Sequence, residues 1–156
     1  MKYLTNSSRD VTNKVLQVIE KFVSIWNEKN ADELGTIFTE DTEFVDVVGQ
    51  IAIGKNQVIE QHRFPFSVTN KIAVFSIDNI YIRNISDTIV LATVYWLNQK
   101  GTTPKGDILP DRHGAMQIIL VQVGGELKIK FVHNLDFSQA YSGHWDTSLR
   151  FFESKK

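Results

Sequence analysis

Four residues of this chain combine an ionisable side chain with a setting that suits proton or anion chemistry: Asp46, His133, His62 and Arg112. Asp46 interrupts the apolar run of EFVDVVGQ (43–50), between Val45 and Val47. An acid inside what reads as a buried strand is either hydrogen-bonded for structural reasons or held in a pocket, where partial desolvation tunes a general base. His133 closes ELKIKFVHN (126–134). Strand alternation sends Lys128 and Lys130 to water and therefore places Ile129, Phe131 and His133 on the inward face. An inward imidazole is either a satisfied core group or an acid/base group active near neutral pH. Together, Asp46 and His133 would move a proton between substrate carbons or activate water, and they are the two catalytic candidates. Asn134 reads as a residue that ties down backbone.

The binding candidates surround them. His62 shares the helical spacing of Val58 and Ile59, which places it at a pocket rim or as a surface histidine near a helix C-terminus. Arg112 would suit a carboxylate or enolate oxygen at the pocket mouth, or serve an ordinary salt bridge. Phe22, Trp26, Phe44 and Trp96 are either apolar pocket walls or plain core. The sites not expected are as informative. His62, His113, His133 and Asp46 lack HxH or HExxH spacing, so no metal is expected. GKNQVIEQ lacks the glycines and GK[ST] of a phosphate loop, no redox-cofactor motif is visible, and no serine sits in GxSxG, so no cofactor is expected.

Elements must hold these residues in place. From Ser8 to Asn30 the apolar residues Val11, Val15, Val18, Ile19, Phe22, Val23 and Trp26 recur at three- and four-residue intervals, which predicts an amphipathic helix capped by Ser7 or Ser8. ADELGTIF predicts a shorter second helix capped by Asn30, and KNQVIEQHRF a third that stops near Pro65. EFVDV between them reads as a short strand, and Gly49 and Gly54 as punctuating a turn. The period then changes to that of strands over 71–84, 88–99, 114–123 and 126–134, with Gly124-Gly125 closing a hairpin. Residues 100–113, polar and holding two prolines, predict a long mobile loop. The 88–99 strand is apolar on both faces. The helices cover one face, and a second copy of the chain is the simplest cover for the other.

The totals agree with one soluble domain of 156 residues, with a core over about 8–135 and an aromatic extension over 136–156. A formal charge of −1 offers no field for nucleic acid or an anionic membrane. No apolar run is long enough for a membrane span, there is no cysteine, and MKYLTNSSRD lacks the apolar core of a secretory signal, so a cytoplasmic location is expected.

The order helix, helix, strand, helix, then a long antiparallel sheet resembles the NTF2-like, or cystatin-like, cone. Within it the chain is similar to the SnoaL-like group and its SgcJ/EcaC (DUF4440) family, on IWNEKNADELGTIFTEDTEFVDVVG, GKNQVIEQH and RHGAMQIILVQVGGELKIKFVHN. The resemblance implies an α+β fold, three N-terminal helices packed on a curved antiparallel sheet, a homodimer through the sheet face, and a pocket for a small organic molecule. Asp46-Val47-Val48-Gly49 resembles the turn that carries the general base of ketosteroid isomerase, a member of the same superfamily. Phe22 and approximately Ile118 fall where that enzyme has its oxyanion-hole donors, and neither side chain donates a hydrogen bond, so steroid isomerisation is not expected. The expected function is a cofactor-free isomerase, cyclase or dehydratase of a carbonyl compound. The alternatives are a non-catalytic binding protein and an oligomeric association module.

Overall fold

The computed structural model describes residues 1–137. Its elements, in chain order, are β1 (Lys2–Thr5), α1 (Arg9–Glu28), a 3₁₀ helix (Ala31–Thr36), β2 (Phe38–Val45), β3 (Ile51–Ile53), α2 (Lys55–Ser67), β4 (Val74–Asn84), β5 (Ile89–Gln99), β6 (Arg112–Val123) and β7 (Glu126–Asp136). The seven strands form one curved, open sheet in the order β1-β4-β5-β6-β7-β2-β3. The fold is α+β and matches an NTF2-like cone.

The apolar stripe of α1 buries Val15, Ile19, Phe22, Ile25 and Trp26 against the sheet. Ser8 caps this helix by accepting from the Val11 N–H at 3.3 Å. The expected second helix is one 3₁₀ stretch. It ends at Thr36 because Phe38 already opens β2 and both Ile37 and Phe38 are buried. Asn30 makes no side-chain cap there. The third helix runs past Pro65 to Ser67. Proline cannot donate to the Gln61 carbonyl, yet one more turn seats Phe66 in the core, 5.5 Å from Trp26 between ring centroids. Tertiary packing there overrides the local breaker.

The sheet is mixed rather than wholly antiparallel. β1, for which no strand was expected, pairs parallel with β4, and β2 pairs parallel with β7. Three residues of the expected turn form β3, an edge strand antiparallel to β2. The long strands form the expected antiparallel sheet, with β6 and β7 joined in the expected hairpin; β4 pairs with β5 and β5 with β6. Gly124 and Gly125 both have positive φ, +58° and +87°, as the tight hairpin between β6 and β7 requires. Residues 100–111 form a bonded loop rather than a loose one: Thr102 donates its N–H to the Thr69 carbonyl at 2.7 Å, and Leu109 closes back on Gly101 at 2.8 Å. Of the expected aromatic extension, Asp136 belongs to β7 and the Phe137 ring lies 6.3 Å from that of Tyr95. Tyr141, Trp145, Phe151 and Phe152 lie outside the described residues.

Candidate functional site

The inner face of the sheet meets α1 and α2 around a pocket of about 130 Å³. Its apolar wall comes from Phe22 and Trp26 on α1, Phe44 on β2, Phe75 on β4, and Trp96 and Met116 on β5 and β6. The rings interlock: Trp26 lies 4.8 Å from Phe75, and Phe75 lies 6.1 Å from Trp96, between centroids. All four aromatics expected at a pocket wall line it. Asp46, His62 and Arg112 line it as well.

Asp46 follows the last residue of β2, where the chain turns into β3. Its backbone N–H donates to the Gln50 carbonyl at 2.9 Å, while its Oδ1 accepts from the Val48 N–H at 2.9 Å and the Gln50 N–H at 2.8 Å. This is an Asx-type turn, the local structure short acidic side chains favour. Both side-chain bonds fall on Oδ1, which leaves Oδ2 outside the bonding of the turn.

His62 is buried rather than at a rim, at 7% exposure. Position 62 of α2 faces the sheet four residues after Val58, and its Nδ1 bonds the Val58 carbonyl at 2.8 Å. A carbonyl only accepts, so Nδ1 carries the proton and Nε2 of the neutral ring is an acceptor. The ring stands edge-on to Phe44 at 4.9 Å and to Phe66 at 5.4 Å. Burial pulls the imidazole pKa below its ordinary value; the Val58 hydrogen bond and the negative charge of nearby Asp46 oppose that fall. Asp46 and His62 thus line the same largely apolar pocket, a carboxylate and an imidazole on different elements.

Arg112 opens β6 and is held by Asp136 on β7, with Nε at 2.7 Å and Nη2 at 2.5 Å from Oδ2. The ordinary salt bridge is therefore present, at the pocket wall.

His133 is not in the pocket. It is exposed, on the opposite face of the sheet. The cause is a bulge: Ile119 pairs with Phe131 and Leu120 with Ile129, so Lys130 is an extra residue in β7. Alternation restarts after it. Leu127 and Ile129 face the core, then Val132 and Asn134 do, which sends Phe131 and His133 outward. Asn134, read from sequence as a backbone tie, takes the inward position; its Oδ1 accepts from the Trp96 indole N–H at 2.9 Å. Gln61, Asn70 and Asn98 also line the pocket. Sequence reasoning passed over these amides because nothing local separates an inward polar residue from an outward one. The apolar doublet Phe131-Val132, which breaks strict alternation, was the visible sign of the bulge. Among the described residues, no three His, Asp or Glu side chains gather to hold a metal ion.

Comparison with known proteins bears on the fold. No family model matches the chain, and no curated protein matches it. Solved structures do. An uncharacterised protein with a cystatin-like fold from Caulobacter vibrioides aligns at TM-score 0.77 and 23% identity, covering 85% of this chain and 93% of that one. An NTF2-like superfamily protein from Salmonella enterica serovar Typhimurium aligns at TM-score 0.76 and 14% identity, covering 90% and 100%. A proposed scytalone dehydratase from Novosphingobium aromaticivorans aligns at TM-score 0.70 and 18% identity, covering 82% and 85%. At these identities the likeness is one of fold.

Proposed function

We propose that this NTF2-like chain is a small-molecule pocket protein of the SnoaL-like type that carries out proton transfer on a carbonyl compound without a cofactor. One observation supports the reading above the others: a carboxylate and a buried imidazole line the same aromatic-walled pocket. An apolar pocket with a few ionisable and polar groups, one of them an imidazole shifted by burial, is the usual composition of such sites.

In the proposed step Oδ2 of Asp46 takes a proton from the carbon next to the carbonyl. The C–H electron pair moves into a new C=C bond, and the carbonyl oxygen becomes an enolate. Asn134 can meet that oxygen, because its Oδ1 is committed to Trp96 and its Nδ2 is a donor. Return of the proton to another carbon completes an isomerisation. Loss of a β-hydroxyl, with the proton delivered to it as water leaves, completes a dehydration. His62 Nε2 is the acceptor that would orient or relay a hydroxyl proton. This assignment moves the imidazole role from His133 to His62. The fold neighbour described as a proposed scytalone dehydratase is compatible with such chemistry.

The test needs no known substrate. Small cyclic ketones, incubated in D₂O and followed by proton NMR, should lose their α-protons faster with wild-type protein than with Asp46→Asn. Binding without exchange would reject turnover and leave the non-catalytic binding protein as the reading.

A further inference from the structure

The balance of hydrogen-bond donors and acceptors around the pocket says what kind of molecule belongs there. The strongest donors are already engaged, Trp96 Nε1 by Asn134 and the Arg112 guanidinium by Asp136. Two of the amide acceptors are not. Asn98, on the inner face of β5 and 4% exposed, uses Nδ2 to bond Asn70 at 3.0 Å, while its own Oδ1 is buried without a partner. Gln61, one residue before His62, sends Nε2 to the Gln50 carbonyl at 3.3 Å, and its Oε1 is likewise buried without a partner. An orphaned buried acceptor is costly, and two in the wall of one pocket call for a common explanation.

Charge points the same way. Arg112 and Asp136 neutralise one another, His62 is held neutral by burial, and Asp46 leaves the wall negative. A carboxylate or phosphate would meet that charge and a row of lone pairs. Size sets the last bound. The pocket volume of about 130 Å³ is close to the ~150 Å³ cavity that holds one benzene ring.

We propose that the natural ligand is a neutral, single-ring-sized molecule bearing hydroxyl or N–H groups, two of which are received by Asn98 Oδ1 and Gln61 Oε1. Neither residue has a role in the proton transfer. They are specificity determinants, since a site built to receive a donor rejects the analogue that lacks it. This inference rests on the pocket being the functional site and refines the carbonyl compound to a hydroxylated one.

Three ring-sized probes separate the possibilities: catechol, with two donors; toluene, with none; and benzoate, an anion. Each is titrated against the full-length protein, with Trp fluorescence and amide NMR shifts as readouts. Catechol should bind about tenfold or more tightly than either of the others. Asn98→Leu and Gln61→Leu should each weaken catechol by about tenfold while leaving toluene unchanged or tighter. The two sites are on different elements, so a folding failure at one leaves the other to decide. Benzoate binding as tightly as catechol, or catechol binding unaffected in a folded variant, would overturn the proposal while sparing the pocket reading. No shift at pocket residues with any of the probes would overturn both.

Discussion

Because Oδ1 of Asp46 receives the N–H groups of Val48 and Gln50, removing its side chain and removing its charge are different experiments. Asp46→Leu takes away both bonds and should lower unfolding free energy by about 1–3 kcal/mol in urea titrations. Asp46→Asn keeps an acceptor in place. Its stability should stay within about 1 kcal/mol of wild type, while a proton-transfer rate should fall by about 10²–10⁴-fold. His62 gives a pH signature. Its folded pKa lies below the ordinary 6.5, so the unfolded chain takes up the proton first. The contribution of a neutral buried His62 is then complete above the unfolded pKa and lost as pH falls below it, at up to about 1.4 kcal/mol per pH unit. Urea unfolding between about pH 7 and pH 5 should show this loss in wild type and a shallower one in His62→Phe.

Two backbone devices in the sheet decide which side chains reach the pocket. The Lys130 bulge exchanges His133 for Asn134. Gly114 does the other part of the work: it faces Trp96 across the β5–β6 pair, where an added Cβ would lie 2.0 Å from Trp96 Cζ2 and 2.2 Å from the Leu135 carbonyl oxygen. The indole can lie over β6 and reach Asn134 only because position 114 has no side chain. Gly114→Ala should cost about 3 kcal/mol, the upper end for overpacking, and shift the Trp96 indole N–H resonance as its bond to Asn134 is lost. At this scale much was legible. The helical period of α1 and the β-branched runs of β4 to β7 predict elements whose cores match those observed. The 3₁₀ type and early end of the second helix, the extra turn after Pro65 and β1 were not legible, because each is held by packing or pairing with residues distant in sequence.

The sheet as a whole has a second face. Ile89, Leu91, Tyr95 and Leu97 of β5 and Ile119 and Val121 of β6 lie there, half-buried in the single chain. A strand apolar on both sides favours a second copy as the cover, and the homodimer remains our reading of it. Light scattering on the purified protein should give twice the 17.8 kDa chain mass, and Leu91→Lys should return it to one. Higher-order rings would favour an association module instead. Among the described residues, no helix is long and apolar enough to cross a membrane.

Periodicity and composition by themselves determined the helix that covers the sheet, the long strands, the apolar faces that carry the aromatics and the unusual acid at position 46. These are local properties, since a 3.6-residue or two-residue repeat of apolar side chains specifies which face is buried wherever the chain goes. Tertiary structure decided which imidazole shares the pocket with that acid. Whether an imidazole from β7 or from α2 lines the pocket with Asp46 depends on one inserted residue, Lys130, and on the depth at which α2 packs. Both follow from pairing between β2, β6 and β7 across many intervening residues, and a slip of one position in a strand turns every later side chain to the opposite face.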